Sequence, residues 1–400
     1  MRMFKALSLF LCVTLFASMS VPSVANAQAP VKFSFTGAGY GHGVGMSQIG
    51  AKARALSGES ATAILNYYYK NVQIAPIVDT QTIRVNIARA QKTISFVSAS
   101  PGSEIQIFSG DVGSSRDVLP VMTAPAKKKL TFNIDGSDAV VEGVRAKAFT
   151  VRWTGPTTVL SFTQAGNTVR YKYGQIQVKV VKGAMEVTNT LALRDEYLWG
   201  ISEVPSSWPA AALEAQVIAS RSYALSKLGK INPACDCQVY SHISDQNFVG
   251  FSKEAEPRFG QLWKAAVTRT IIDTSTSLAI LVNGKPIQAY FFSSSGGATQ
   301  TTLDAWGAAT SYTQSVLDPA GLDPKNNPRF ATWNASADQA LVAKAFLLAD
   351  ILTLEIMSRN SAGAVTYIKG TASDGSTKLL RGDTFRSRVK IPSPYFSLAV

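Results

Sequence analysis

Residues 197–228 read YLWGISEVPSSWPAAALEAQVIASRSYALSKL. Their reading divides the chain into a sheet part and a helical part. The Glu203-Val204-Pro205 corner stops whatever precedes it, because a residue before proline is pushed away from helical backbone. Ser206 or Ser207 then supplies a helix N-cap and Pro209 fits a first turn. Ala210 to Leu228 consists of good helix formers, and Gly229 ends the run. Upstream, from Thr82 to about Val187, seven short alternating runs (RVNIA, TISFVSA, EIQIFSG, KLTFNI, FTVRW, TVRYKYG and QIQVKVV) are separated by Gly, Asp, Asn and Ser turns. Downstream, 229–260 is a polar, irregular excursion. Leu262 to Thr270 is a helix, Ala279 to Ser293 a hairpin turning at Asn283-Gly284, 317–330 a loop, and Ala337 to Leu348 a helix before further strands. A two-period segment followed by a separate helix implies α+β: a mixed, largely antiparallel β core with the 208–228 helix packed against it.

The amino end has its own period. VKFSFTG (31–37) alternates as a strand, and glycine then recurs at 37, 39, 41, 43 and 45. In an extended chain those glycines share one face, with Tyr40, His42, Val44 and Met46 on the other. Helices at Ser47–Leu56 and Ala61–Lys70 follow. Ahead of this, Arg2 and Lys5, an apolar run from Leu7 to Phe16 and Ala25-Asn26-Ala27 make a Sec leader cut after Ala27. The expectation is a secreted, wall-associated protein with no stable membrane span. Loss of the leader lowers the formal net charge from +13 to +11. The dispersed basic residues suit an anionic polymer by general attraction, cell-wall polymer rather than nucleic acid. Only His42 and His242 carry imidazole, which excludes a three-histidine zinc hydrolase, and Cys235 and Cys237 are too few for a disulfide scaffold.

Four stretches resemble the SpoIID/LytB family: GYGHGVGMSQIGAKARALSG with ILNYYYKNVQI inside 39–75, YLWGISEVPSSWPAAALEAQVIASRSYAL (197–225), SDQNFVG (244–250) and AYFFSSSGGATQTTLDAWG (289–307). Weaker similarity runs through TFRSRVKIPSPYFSL (384–398). In the sporulation members the GHGVGMSQ segment stands near the carboxyl end; here it leads the chain. A circular permutation accounts for the order and requires that the chain near Val31 and Val400 be adjacent in space. The segments are then a leader (1–27), a GHGVGMSQ segment (28–76), a β-rich part (77–190), a catalytic core (191–320) and a carboxyl-terminal part (321–400), the last four completing one SpoIID-like domain.

The resemblance implies that Glu203, in S-E-V-P where the family has E-M-P, is the acid of a lytic transglycosylase acting on peptidoglycan glycan strands. Trp199, Val204, Pro205 and Trp208 are the neighbours expected to raise its pKa by burial. The plain alternative is a surface carboxylate favoured by a helix N-terminus. Most glycosidases pair the acid with a second carboxylate; a transglycosylase uses the C6 hydroxyl of the sugar and returns the proton to the same glutamate. His42, Ser47, Gln48, Arg221, Tyr223, Ser294, Ser295 and Gly296 are expected to line a sugar cleft walled by the 39–48 and 292–299 loops. The rival for His42 is a satisfied structural histidine, and for Glu214 an ion pair stapling the helix to the sheet. A catalytic serine in 293–295 lacks a ready histidine. Cys235, Cys237 and His242 allow a structural zinc site or, for the cysteines, a disulfide; no cofactor is required. The family also implies a partner amidase that strips stem peptides, and its LytB side implies the competing role of a non-catalytic amidase enhancer.

Overall fold

The computed structural model describes residues 29–155 and 158–399. The leader expected at 1–27 lies outside them.

The architecture is α+β and mostly antiparallel. Two sheets face one another between residues 82 and 192. One has seven strands, running in space Val239–Tyr240, Thr82–Gln91, Ala184–Ala192, Gln175–Val181, Ala148–Trp153, Glu104–Ser109 and Met122–Pro125. Only the short Val239–Tyr240 strand joins it in parallel, beside Val85 and Asn86. The other has six strands, with Thr93–Ser98 between Leu130–Asp135 and Leu160–Gln164. The period-two pattern explains the packing: Ile105 and Ile107 turn inward from one sheet, Phe96, Phe132 and Phe162 from the other. Phe132 meets Phe149 across the gap at 5.5 Å, edge to face. Each such ring contributes about 1.5–3 kcal/mol by leaving water.

The central helix runs Ala210–Lys227, one residue short of the expected end. Its N-cap is Pro209, with no side-chain cap bond, so neither Ser206 nor Ser207 caps it. Residues 212, 213 and 215–225 are all buried, hence the absence of a clear amphipathic stripe. Its alanines and serines let four elements approach: the helices Gln48–Leu56, Ala61–Tyr68 and Gly260–Arg269 and the strand Thr276–Val282. Asn283 and Gly284, both at positive φ, turn that strand into Lys285–Pro286, but its longer partner is Gln73–Val78. The 229–260 excursion contains the Val239–Tyr240 strand and a helix at Phe251–Glu254. The tail helix is Gln339–Phe346, and a second tail helix, Gly382–Val389, was not legible in the sequence.

The glycine-rich segment differs from its expectation. The strand stops at Gly37, and Gly39, Gly41, Gly43 and Gly45 all have positive φ, from 77° to 106°. The two-residue period therefore marks a train of left-handed turns rather than an extended strand. A Cβ on Gly45 would lie 2.0 Å from the carbonyl oxygen of Tyr290, and one on Gly39 2.6 Å from that of Ser294. The turns lace the amino end to the 290–300 segment: Tyr40 and Ser294 exchange N–H···O bonds at 2.8 and 3.1 Å, and Met46 N–H donates to Tyr290 O at 3.0 Å.

The first and last described strands meet; Val400 lies outside the described residues. Lys32–Gly37 lies between Trp333–Asp338 and Phe396–Ala399, antiparallel to both, with Ser34 opposite Ala399. Phe35 is buried beneath this sheet against Phe385 and Phe396.

Candidate active site

Glu203 sits on the corner between the sandwich and the central helix, and the 246–253 segment fixes that corner. Ser202 N–H donates to Asn247 O at 2.8 Å, Asn247 Nδ2 returns a bond to Ser202 O at 2.8 Å, and Lys253 Nζ, itself buried, donates to Val204 O at 2.8 Å. The carboxylate accepts the Asn247 backbone N–H at Oε1, 2.6 Å. Burial pushes the Glu203 carboxyl above the ordinary carboxylate range, and the Asn247 N–H pulls the other way by favouring the anion. Val204 and, in part, Trp199 and Trp208 belong to the core behind this corner. Trp199 faces Tyr173 and the Lys264 ammonium.

Tyr223, three turns along the central helix, connects Glu203 to a surface hollow. Burial, then Asp245, then more weakly Tyr290 and Glu203 raise its phenol. Its hydroxyl donates to Asp245 Oδ1 at 2.6 Å. Asp245 also accepts Tyr240 N–H at 2.9 Å and stands 3.5 Å from Lys227 Nζ. The hollow, with room for about 160 Å³, is lined by His42, Tyr223, Ser244, Asp245, Tyr290 and Trp306, among others. Glu203 is not part of its lining.

His42 is held in one tautomer. Val44 N–H donates to its Nδ1 at 3.1 Å, which leaves the ring proton on Nε2. Burial lowers its pKa from 6.5 to about 4, outweighing Asp383, while Arg386 also disfavours the cation. The site therefore holds a neutral His42, bonded to backbone at Val44 and Phe291, and a protonatable carboxyl from Glu203, with a row of aromatic rings between them.

Comparison with known proteins bears on this arrangement. Residues 181–275, which include Glu203, Tyr223 and Asp245, match the family described as SpoIID, Stage II sporulation protein. Through this segment the chain resembles the SpoIID family. It is 26% identical over 226 residues to the Stage II sporulation protein D of Bacillus subtilis (strain 168), covering 54% of this chain and 62% of that protein. It is 60% identical over 112 residues to the Amidase enhancer of the same organism, 28% of this chain and 13% of the relative. A third relative, Stage II sporulation protein D of Bacillus amyloliquefaciens, is 24% identical over 207 residues, 49% of this chain and 55% of its own. The chain thus spans less than two thirds of each of these relatives. No solved structure matches it.

The other expected site residues lie away from the hollow. Ser47 is fully buried and caps the helix Gln48–Leu56 through Gly50 N–H. Gln48 Nε2 donates to Gln216 Oε1 at 3.2 Å inside the protein. Arg221 does not line the cleft: its side chain is 0% exposed, paired with Asp79 at 3.1 Å, and bonded to Thr270 Oγ1 and Leu278 O. Burial brings it down to about 10 despite Asp79. Glu214 pairs with Arg269 on the neighbouring helix instead of stapling to the sheet. Ser294 and Ser295 are fully buried; Ser295 Oγ donates to Asp318 Oδ2 at 2.7 Å. Gly296 is pressed against the Tyr395 ring, where a Cβ would come within 2.5 Å. These residues hold the walls in place.

Cys235 and Cys237 form a disulfide. His242 stacks on Tyr240 at 5.2 Å and its Nδ1 accepts Ser244 N–H. With both sulfurs in that bond the three residues do not fit a zinc site, and among the described residues no group of three or more His, Cys, Asp or Glu converges on a metal position. The intervening Asp236 is held by Arg84 at 3.0 Å and Lys179 at 2.8 Å, which docks the loop on the sheet edge just ahead of Asp245.

Sequence reasoning passed over Asp245, Asn247, Tyr290 and Trp306. All four stand inside the quoted SDQNFVG and AYFFSSSGGATQTTLDAWG stretches. The available signal was a carboxylate and exposed-capable aromatics in motifs otherwise made of small polar residues.

Proposed function

We propose that the protein is a secreted lytic transglycosylase that cleaves peptidoglycan glycan strands, with Glu203 as general acid and then base. The observation that carries this reading is a carboxyl with a raised pKa, held by a backbone N–H at 2.6 Å beside an aromatic hollow. Protonated Glu203 donates to the glycosidic oxygen as the C1–O bond breaks. The muramic C6 hydroxyl oxygen bonds to C1, and its proton passes to the Glu203 carboxylate, which regenerates the acid and consumes no water. The 1,6-anhydro end follows from that balance. Asp245, two residues before Asn247, is a second carboxylate, but Tyr223 and Tyr240 donate to it and Lys227 pairs with it, which suits a positioning partner of Tyr223 better than a nucleophile. Export across a membrane, a wall location and strands stripped of peptides by an amidase belong to the same proposal. The dispersed positive charge supports an anionic wall as the setting.

The 60% identity to an Amidase enhancer favours a second reading, in which the protein binds glycan or amidase without cleaving. The test incubates the protein, lacking its first 27 residues, with peptide-free strands, alone and with a purified wall amidase on intact sacculi. New anhydro ends from the protein alone, lost in Glu203→Ala, support the transglycosylase. Faster amidase turnover with no new ends, unchanged in Glu203→Ala, would replace it with the enhancer.

A further inference from the structure

The hollow contains aromatic surface that acid catalysis does not use. Trp306 closes the short helix Thr302–Trp306, and Gly307 at φ 84° turns the chain away. The indole N–H donates to Asp383 Oδ2 at 3.0 Å, and Asp383 Oδ1 accepts Arg386 Nε at 2.8 Å. Arg381 braces the same corner: Nη1 donates to Asp304 O at 3.3 Å, and its guanidinium fills the space that a Cβ on residue 307 would need. The ring is therefore fixed through its nitrogen from the tail helix, yet remains 36% exposed. Tyr290 meets it edge to face at 4.8 Å and His42 at 5.2 Å, and Tyr290 meets Tyr223 at 6.4 Å. An aromatic row thus runs from Trp306 to the tyrosine that neighbours Glu203.

A large ring held open to water, with its polar atom already satisfied, is a surface made to be covered. Its neighbours select the cover. Tyr223, Ser244, Asp245 and neutral His42 rim the hollow with hydroxyl, carboxylate and imidazole groups. The carboxylate disfavours an anionic ligand, which argues against phosphate. One apolar face edged by short-range hydrogen-bonding groups matches a pyranose, whose C–H face is apolar and whose rim is hydroxyl and amide. Room for about 160 Å³ suits one sugar ring.

We propose that Trp306 is the stacking platform for one N-acetylated pyranose of the glycan, in a saccharide subsite alongside Glu203, with Tyr290 setting the tilt of the indole. The proposal rests on the glycan reading above and names its specificity-determining residue.

The test measures binding, not turnover. Peptide-free glycan strands and β-1,4-linked N-acetylglucosamine oligomers are titrated calorimetrically into Glu203→Gln protein, alone and combined with Trp306→Leu or Trp306→Phe. Leu keeps apolar bulk and Phe keeps a ring, so both preserve folding, checked by thermal unfolding. The expected result is affinity weaker by about tenfold with Leu and within about threefold of the parent with Phe. Equal affinity with Leu, or Phe as weak as Leu, would overturn the platform. Failure of the two readings is separable. Trp306-dependent binding without anhydro ends from the wild type sinks the transglycosylase and leaves the subsite. Anhydro ends formed by Trp306→Leu at unchanged KM sink the subsite and leave the transglycosylase.

Discussion

Glu203 is under two opposed demands, since a carboxyl that must give up a proton near neutral pH is one that folding would rather keep neutral. Its raised pKa means that the unfolded chain ionises first as pH rises, so stability is lost from the ordinary carboxylate range upward to the folded pKa. Glu203→Gln should therefore unfold at a higher temperature than wild type at neutral pH, with the gap closing in acid. The same change should lower glycan turnover by about 100- to 10,000-fold. Calorimetric melting at both pH values, with turnover beside it, checks the pair; a gap that is the same in acid and at neutral pH would contradict the burial argument. His42 has the opposite sign. Its pKa falls to about 4, so below 6.5 the unfolded chain takes a proton that the folded protein refuses until about 4. Asp383 and Arg386 face it with opposite effects, and the rings of Tyr290, Phe292 and Trp306 surround it. Relative to His42→Asn, wild type should lose up to about 3 kcal/mol between about pH 6.5 and about pH 4. Parallel pH–stability curves for the two proteins would show that the ring is not desolvated.

Among the elements, the glycine train is the part most exposed to a single change. Gly45 has φ 80° and no space toward the Tyr290 carbonyl, so Gly45→Ala should destabilise by at least about 3 kcal/mol, read from urea unfolding. Gly58, also at positive φ but with open space around it, should tolerate Ala far better. Equal costs at the two positions would mean that backbone strain alone, and not the close approach, decides. This train also marks where sequence reading stopped. Its two-residue period looks like a strand on paper, and only the φ values separate alternating left-handed turns from an extended chain. The seven β runs were legible because inward Ile and Phe alternate with polar residues, and the central helix because Ala-rich formers run between Pro209 and Gly229. Glu203 was legible through its corner and its motif. The roles of Arg221, Ser47, Gln48, Ser294 and Ser295 were not, because a polar side chain in a motif gives no sign of whether its partner is ligand or core; Asp79 and Asp318 supply core partners from 142 and 23 residues away in sequence.

At the scale of the whole molecule, the ends decide how the site is assembled. His42 belongs to the first described strands and turns, Asp383 to the tail, and Glu203 to the middle, so the site closes only if the two ends pair. Ser34 and Ala399 face each other in that pairing. Ser34→Cys with Ala399→Cys should cross-link on mild oxidation without loss of melting temperature, seen as a mobility shift and no free thiol. Failure to cross-link in folded protein would place the ends apart and remove the His42 side of the site. Among the described residues no helix is long and apolar enough to cross a membrane.

In the proposed reaction Glu203 breaks glycan strands without water. Its most direct test is digestion of peptide-free strands in heavy-oxygen water, followed by mass spectrometry of the new ends. The proposed reaction gives muramic ends lighter by one water and free of heavy oxygen, formed by wild type and missing with Glu203→Gln. New ends that carry heavy oxygen, or ends that persist in Glu203→Gln, would contradict it.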